Sequence, residues 1–255
     1  MITYRIKPLP DWVNEENIEK DKFLTIRTTS LESFLECEYK YFMNDDVFTK
    51  YSIFHTGKQM HKYVQARAIG NDKFADKVLE EKMTLADRDY VEEAWNKIVK
   101  EYPEYAHIDA REIEYWLYLE YNPYLIYLEW TIDWIRYNED GSITMVDYKS
   151  ASSLWKTDKG KIQKYVYPFL YRQYNPEHKI KEFVYIVISK QSNPQIEVHK
   201  YEPNKEEVEK FVEEAIWEYV RAYSTKEYKT KGTKDWKCKW CKLKKDWTCP
   251  LFLDI

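Results

Sequence analysis

An acid and a base lie two residues apart where a predicted strand ends. In the stretch SITMVDYKSA, which begins at Ser142, apolar residues lead into Asp147 and Lys149. Residues i and i+2 of a strand point to the same face, so this carboxylate and this ammonium lie side by side. Charges near a core are costly unless they are paired or used. The two residues are therefore either an ion pair that holds the fold or part of a functional site.

A second carboxylate precedes this pair. Asp133 lies near the end of the preceding predicted strand, and the turn NEDG separates that strand from the one that carries Asp147. If the two strands are antiparallel neighbours, Asp133 and Asp147 converge near one edge of the sheet. Converging carboxylates repel each other unless a cation or a proton intervenes, and their oxygens suit Mg²⁺ or Mn²⁺. Lys149 is then placed to contact a substrate or the attacking water.

Three helices are predicted before these strands. The first covers TTSLESFLECEYKYFMND, with Ser30 as its cap. The second covers TGKQMHKYVQARAIG and ends at Gly70. The third begins at a capping box formed by Thr84 and Asp87. Residues 1–25 are predicted to be irregular or peripheral.

Strands dominate the centre of the chain. REIEYWLYLEY and YLIYLEWTIDWIRY flank a turn at Asn122–Pro123, and the strand that carries Asp147 follows. A helix is predicted next, from about Lys159 to Tyr174, with a kink or a break at Pro168. EFVYIVISK then suits a buried central strand, QIEVHKY is expected to pair with it, and a last helix begins at Asn204. This order predicts an α/β fold in which a mixed β-sheet is flanked by helices on both faces.

Composition narrows the class of protein. The chain has 255 residues, of which 33% are charged and 44% hydrophobic, as expected of a soluble globular protein. Only 5 residues are glycine, and no Walker or dinucleotide fingerprint is present. The apolar runs are shorter than the ~20 residues of a membrane helix, and the N-terminus lacks the shape of a signal peptide. We therefore expect a cytoplasmic protein that does not contact a membrane.

Charge is distributed unevenly along the chain. The formal net charge is −4, yet residues 226–247 contain nine lysines and three acids. A basic tail on an acidic body is typical of an electrostatic footprint for phosphate, although a solvated lysine-rich face has the same composition.

The motifs resemble the PD-(D/E)XK nuclease superfamily. That pattern is an Asp, about a dozen residues, and then Asp-X-Lys at a strand end, here Asp133, Asp147 and Lys149. GKQMH, which ends at His61, resembles the Gly-x-x-x-His motif of the RecB-like branch, and QKYVY (Gln163–Tyr167) resembles its Gln-x-x-x-Tyr motif. The resemblance implies a restriction-endonuclease-like fold.

The resemblance also implies roles for individual residues. Four of them would hold one or two divalent ions: His61, Asp133, Asp147 and, through its main-chain carbonyl, Tyr148. Lys149 would orient or deprotonate the hydrolytic water and stabilise the pentavalent phosphate. We therefore expect Asp147 and Lys149 each to contact the metal or the substrate, and not to be paired with each other. Gln163 and Tyr167 would position the site and the DNA strand. Trp130 stands where the family often has a glycine, and KSA stands where KTG is usual.

Four cysteines have a spacing that suggests a second metal site: Cys37, Cys238, Cys241 and Cys249. In an intracellular protein the C-x₂-C-x₇-C cluster indicates metal before disulfide, either Zn²⁺ or iron–sulfur. One remote cysteine and a C-terminal trio resemble the iron–sulfur staple of the RecB-like exonucleases, such as AddB and the CRISPR-associated members. This implies a [4Fe–4S] cluster, with structural Zn²⁺ as the alternative. The x₇ gap exceeds the usual x₅, and Glu38 stands where proline is usual.

The implied cluster would tie the tail to the first helix. It would carry Trp236, Trp240 and Trp247 beside the cleft, where aromatic rings and lysines suit a single strand. Packing around the cluster is the other explanation for these tryptophans.

The resemblance therefore implies a metal-dependent DNA exonuclease that acts on single-stranded or frayed ends. Such an enzyme would serve recombination, end processing or CRISPR spacer processing, with a helicase, recombination or CRISPR protein as partner. The alternatives are a structure-specific endonuclease and a non-catalytic DNA-binding or assembly module. We expect one integrated domain with an N-terminal helical region (1–105), a nuclease core (106–202) and a C-terminal helix with the iron–sulfur and basic tail (203–255).

Overall fold

The computed structural model describes residues 3–6, 22–43, 52–151, 154, 162–190, 193–230, 238, 241, 243 and 249–250. The chain divides into two compact units. The terminal unit consists of Met1–Thr49, Trp116–Glu129 and Glu206–Ile255, and the central unit consists of Lys50–Tyr115 and Trp130–Lys205. The predicted division into three regions stays a prediction.

The described residues form strands and helices in a mixed order. The strands are β1 (Thr3–Ile6), β2 (Phe23–Arg27), β3 (Ala110–Tyr121), β4 (Tyr124–Tyr137), β5 (Ile143–Ala151), β6 (Ile180–Ser189) and β7 (Ile196–Tyr201). The helices are α1 (Thr28–Glu36), α2 (Glu38–Phe42), α3 (Ser52–Ala68), α4 (Asp72–Lys82), α5 (Leu85–Glu101), α6 (Gln163–Tyr174) and α7 (Lys205–Thr225). A 3₁₀ turn, Pro103–Tyr105, follows α5. The strand order is β1-β3-β4-β5-β6-β7, and β2 pairs with β4.

The sheet of the central unit combines antiparallel and parallel pairs. The end of β4 is antiparallel to β5, with Trp134 opposite Val146. β5 is parallel to β6, with Asp147 opposite Tyr185, and β6 is antiparallel to β7. β6 is buried over most of its length, which confirms the prediction of a central strand from its continuous apolar run.

Helices cover both faces of this sheet. Trp134, Val146 and Tyr148 point to one face and join a core cluster with residues of α3, α4 and α5. On the other face, Tyr167 of α6 packs against Phe183 of β6, with ring centroids 6.0 Å apart. The predicted mixed sheet flanked by helices is therefore confirmed.

The terminal unit has its own strand pairs and an aromatic core. β1 is antiparallel to the second half of β3, and β2 is parallel to the first half of β4. Phe34 of α1 packs edge-on against Tyr219 of α7 at 5.1 Å, and Phe42 of α2 stacks on Tyr228 at 4.6 Å. These contacts join α1 to α7, and α2 to the segment that follows α7.

The N-terminal region differs from the prediction. Residues 3–6 and 23–25 lie in strands, whereas an irregular or peripheral segment was expected; of these, β1 is peripheral in the sense that it ends the strand order. The first helix begins at Thr28, and Ser30 does not cap it. It also stops at Cys37, whose extended backbone (φ −166°, ψ 108°) separates α1 from α2. The apolar stripe is continuous across this break, so the sequence pattern alone did not reveal it.

The other helices follow the sequence more closely. The predicted helix start at Thr84 is confirmed, because the Asp87 N–H donates to Oγ1 of Thr84 at 3.2 Å, and the Thr84 hydroxyl donates to Oδ2 of Asp87 at 2.7 Å. α4 was not predicted, although Asn71 caps it by accepting from the Phe74 N–H. α6 continues through Pro168 without a break. Residues 159–161 of the predicted helix lie outside the described residues.

Candidate metal centre and active site

Strand pairing brings two carboxylates together in the central unit. Extending the β4–β5 register by one residue beyond Trp134 and Val146 puts Asp133 opposite Asp147. His61 approaches from α3, the helix that packs on β5. One ligand atom from each of His61, Asp133 and Asp147 lies within 4.8 Å of the other two. The structure thus assembles two oxygens and one imidazole nitrogen from three separate elements.

Asp147 is in an environment that opposes its own charge. The side chain has no exposed surface, and Oδ1 has no hydrogen-bond partner among the described residues. Burial raises the pKa of Asp147 to about 6, and the Asp133 carboxylate adds to the rise, while Lys149 and His61 oppose it. A cation at this position would stabilise the ionised carboxylate.

Lys149 is the nearest positive charge to Asp147. Its Nζ lies 2.8 Å from Oδ2 of Asp147, and about a quarter of the Lys149 side chain is exposed. The two residues are therefore paired with each other in this structure, and their engagement with metal and substrate stays a prediction. The reason is burial, because a fully buried carboxylate pairs with whichever ammonium is in reach.

An aromatic stack sets the orientation of His61. The imidazole lies on the indole of Trp134, with ring centroids 4.8 Å apart and an interplanar angle of 24°. Trp134 in turn packs edge-on against Tyr148 at 3.9 Å. Nε2 of His61 lies 4.0 Å from Oδ2 of Asp133. The stack holds the imidazole beside the carboxylates.

α6 supplies two polar side chains on the opposite face of the sheet. The hydroxyl of Tyr167 donates to Oδ2 of Asp133 at 3.4 Å. Burial, with the two nearby carboxylates, raises the pKa of Tyr167 well above its usual range, so the phenol stays a donor. Gln163 lies one turn earlier on the same helix face, and its Oε1 accepts from the hydroxyl of Tyr185 at 3.3 Å.

Tyr185 is a residue that the sequence reasoning missed. It lies in the apolar strand β6, opposite Asp147, and is 1% exposed. A buried tyrosine hydroxyl needs a hydrogen-bond partner. The tyrosine inside the apolar run EFVYIVISK was therefore the sequence signal for a buried polar contact at this position.

Tyr148 lies on the other face of β5 from Asp147 and Lys149. Its side chain is buried, and its hydroxyl donates to the main-chain carbonyl of Tyr105. The use of the Tyr148 carbonyl as a metal ligand stays a prediction.

The four cysteines belong to the terminal unit, and none is in a disulfide. Cys37 occupies the break between α1 and α2. Local main-chain bonds shape the tail, from the Cys241 N–H to the Cys238 carbonyl and from the Cys249 N–H to the Leu243 carbonyl. Trp236, Trp240 and Trp247, with most of the basic tail, lie outside the described residues.

The donor set of the central unit fits a divalent cation. Two carboxylates and an imidazole are ligands that Mg²⁺, Mn²⁺ and similar ions accept. The unpartnered Oδ1 of Asp147 is the kind of buried polar atom that a bound ion satisfies. No other three such ligand atoms lie this close together in the part of the chain that the structure describes.

This fold and this donor set define a nuclease class. The model of the PD-(D/E)XK nuclease superfamily matches residues 27–249, so the chain belongs to that superfamily. No curated protein is similar enough in sequence to count as a relative.

Two solved structures are similar to this chain over most of its length. A candidate exonuclease from Eubacterium rectale has 17% identity and a TM-score of 0.52, with 89% of this chain and 92% of that chain covered. SSO0001 has 14% identity and a TM-score of 0.42, with 92% of this chain and 89% of that chain covered. The first similarity supports the fold.

No described helix combines the length and the apolar content that a bilayer crossing requires.

Proposed function

We propose that this protein is a divalent-metal-dependent DNA exonuclease that hydrolyses phosphodiester bonds. The observation that carries the proposal is the convergence of His61, Asp133 and Asp147 to within 4.8 Å around a buried carboxylate. Membership of the nuclease superfamily makes phosphodiester hydrolysis the chemistry that such a site supports.

His61, Asp133 and Asp147 would hold Mg²⁺ or Mn²⁺. A bound ion of this kind lowers the pKa of water and offsets charge that develops on a transferring phosphoryl group. The Tyr167 hydroxyl holds Oδ2 of Asp133, and the Trp134 indole holds the His61 ring, so both ligands are oriented in advance.

Lys149 is the residue that faces the reacting phosphate. Its ammonium is partly exposed while it touches Oδ2 of Asp147, so it is held at the boundary between the buried carboxylate and solvent. From there it donates to a non-bridging phosphate oxygen or to the attacking water. Gln163, held by Tyr185, contributes an amide that positions the DNA strand.

The proposed substrate is DNA with a single-stranded or frayed end. Two features support it: the name of the Eubacterium rectale neighbour refers to an exonuclease, and the nine lysines of residues 226–247 suit a phosphate backbone. We propose a role in recombination, end processing or CRISPR spacer processing, with a recombination, helicase or CRISPR protein as partner.

We also propose that Cys37, Cys238, Cys241 and Cys249 bind a [4Fe–4S] cluster. What supports the cluster is the resemblance of one remote cysteine and a C-terminal C-x₂-C-x₇-C trio to the iron–sulfur staple of the RecB-like exonucleases, with structural Zn²⁺ as the alternative. An anaerobic preparation should be brown and contain about four irons per chain, and a colourless protein with one zinc would overturn this assignment.

The nuclease proposal is tested with DNA of defined ends. End-labelled single-stranded and double-stranded oligonucleotides and a closed circular plasmid are incubated with Mg²⁺ or Mn²⁺. We expect progressive shortening of the single-stranded oligonucleotide and no loss of the closed circle. Cutting of the closed circle would identify an endonuclease, and failure to cleave any DNA with either ion would overturn the proposal.

A further inference from the structure

Two polar side chains lie against the backbone of α3 one helical turn before His61. A Cβ built on Gly57 would lie 2.9 Å from Oγ of Ser150 and 3.8 Å from Nζ of Lys190. The space beside Gly57 is thus occupied by a hydroxyl and closely approached by an ammonium. A Cβ at this position would crowd the Ser150 hydroxyl, whereas the Lys190 ammonium would be in ordinary contact with it.

The parallel pair β5–β6 brings these side chains to one edge of the sheet. Ser150 is opposite Ile188, and the Lys190 N–H donates to the Ala151 carbonyl at 2.8 Å. Ser150 directly follows Lys149, so it lies at the same carboxyl end of β5 as the proposed metal centre, but on the face that Tyr148 shares and that α3 covers, from which His61 reaches the carboxylates. Residues i and i+4 of a helix are about 5–6 Å apart at Cβ, so Gly57 and His61 are neighbours on one face of α3.

The cluster has the chemistry of an anion site. The Ser150 hydroxyl and the Lys190 ammonium are both donors. Lys190 is partly buried, and burial lowers its pKa, which means that the ammonium is incompletely solvated. An anion placed beside these two donors would accept a hydrogen bond from each. On a nuclease the nearest such anion is the substrate backbone itself.

We propose that Ser150 and Lys190, packed beside Gly57, form a subsite for the DNA phosphate adjacent to the scissile one. The proposal rests on the proposed nuclease function and adds a second phosphate contact to it. The metal centre holds the scissile phosphate, and the subsite, one helical turn along α3, fixes the register of the strand.

The first test is the salt dependence of binding. A fluorescent single-stranded oligonucleotide is titrated with the full chain in EDTA, where cleavage is blocked, at several salt concentrations. Each phosphate contact contributes about 0.7 to the slope of log K against log salt for a single strand. We expect Lys190→Gln to reduce the slope by about 0.7 and to weaken binding several-fold at low salt.

Two matched variants separate binding from folding. Lys190→Arg keeps the charge and should retain the slope. Lys181→Gln makes the same charge change at the opposite end of β6, where the side chain is exposed, and should leave the slope unchanged. A Lys190→Gln slope equal to that of the wild type would overturn the subsite and leave the nuclease proposal standing.

The second test locates the phosphate. A single neutral methylphosphonate linkage is placed on either side of the cleavage point. It should lower kcat/KM of the wild type but have little further effect on Lys190→Gln at one of the two positions, because both changes remove the same contact. Additive losses at both positions would overturn the proposal. A wild type that shows the Lys190-dependent slope without cleaving DNA would support the subsite and sink the nuclease function.

Discussion

Lys149 Nζ lies 2.8 Å from Oδ2 of Asp147, a carboxylate whose other oxygen has no hydrogen-bond partner among the described residues. One ammonium is thus left to compensate a buried charge that also faces the carboxylate of Asp133. Burying an incompletely compensated charge lowers stability. Asp147 is therefore expected to weaken the metal-free fold at neutral pH.

Asp147→Asn should stabilise the metal-free protein at pH 7.5. The pKa of Asp147 is raised to about 6, so the folded state binds a proton more tightly than the unfolded state. Stability is therefore highest below the unfolded pKa of about 4 and falls as the pH rises towards 6. The variant cannot ionise at this position, so it avoids this decrease in the free energy of unfolding, which is about 1–3 kcal/mol. Urea unfolding should show a clearly higher free energy of unfolding for Asp147→Asn than for the wild type at pH 7.5. At pH 4 the two proteins should differ little.

Asp89→Asn is the matched control for this measurement, because it makes the same change at an exposed position of α5. It should alter stability little at either pH. An Asp147→Asn protein that is less stable than the wild type at pH 7.5 in EDTA would contradict the interpretation of this carboxylate as an incompletely compensated charge.

Gly57→Ala and Ser150→Ala should be strongly coupled. In the wild type the new Cβ would meet Oγ of Ser150 at 2.9 Å, so the alanine variant should lose stability. In the Ser150→Ala background that atom is gone, and Lys190 Nζ at 3.8 Å is an ordinary contact. Alanine then stabilises the helix interior by about 0.5–1 kcal/mol relative to glycine. Thermal unfolding of the four proteins tests the cycle, and equal effects of Gly57→Ala in both backgrounds would refute it.

Tyr185→Phe should lower kcat by more than its effect on the stability of the fold would explain. The change removes the donor to Oε1 of Gln163, so the amide loses its fixed orientation. A hydrogen bond of about 0.5–1.5 kcal/mol corresponds to a loss of roughly twofold to tenfold in kcat. Tyr171 lies on the same helix as Gln163, and its hydroxyl lies 2.7 Å from Nδ1 of His178. Tyr171→Phe removes that hydroxyl and should leave kcat unchanged. Equal kcat for Tyr185→Phe and the wild type would rule out the positioning role.

Glu38→Gln should loosen the start of the C-terminal tail. Oε2 of Glu38 accepts from Nη2 of Arg221 at 2.5 Å and from the Lys229 N–H at 2.9 Å. Next to this carboxylate, the Tyr39 N–H donates to the Lys229 carbonyl at 3.2 Å. Loss of this charge-assisted network should cost about 1–3 kcal/mol locally. Amide exchange at Lys229 should accelerate about tenfold or more.

Glu214→Gln is the control, because its ion pair with Lys210 is at the surface and contributes little. Unchanged exchange at Lys229 in Glu38→Gln would show that the tail is held by other contacts. The Glu38 side chain joins the start of the tail to α2.

Local pattern predicted much of the fold. The period-2 and continuous apolar runs located β3 to β7, and Thr84 with Asp87 marked the start of α5. The break at Cys37 escaped prediction because apolar spacing is the same on either side of it, and β1 escaped because a four-residue strand depends on its partner β3 for stability.

The candidate site was predictable only where its residues carry motifs. His61, Asp133 and Asp147 meet because α3 packs on β5 and because the β4–β5 register aligns two carboxylates. Tyr185, Ser150 and Lys190 depend on the parallel pairing of β5 with β6, which links residues about 40 apart without any local signal. The direct Asp147–Lys149 pair likewise follows from burial, which the sequence does not reveal.

The central claim is that three side chains hold a cation that is needed to hydrolyse DNA. It is tested most directly by digestion of an end-labelled single-stranded oligonucleotide with wild type and Asp133→Asn, each in Mn²⁺ and in EDTA, after unfolding curves establish that the variant is folded. We expect cleavage by the wild type in Mn²⁺ only, and a loss of at least about 100-fold in Asp133→Asn, since metal catalysis supplies several kcal/mol. Cleavage at the wild-type rate by Asp133→Asn, or cleavage by the wild type in EDTA, would contradict the claim.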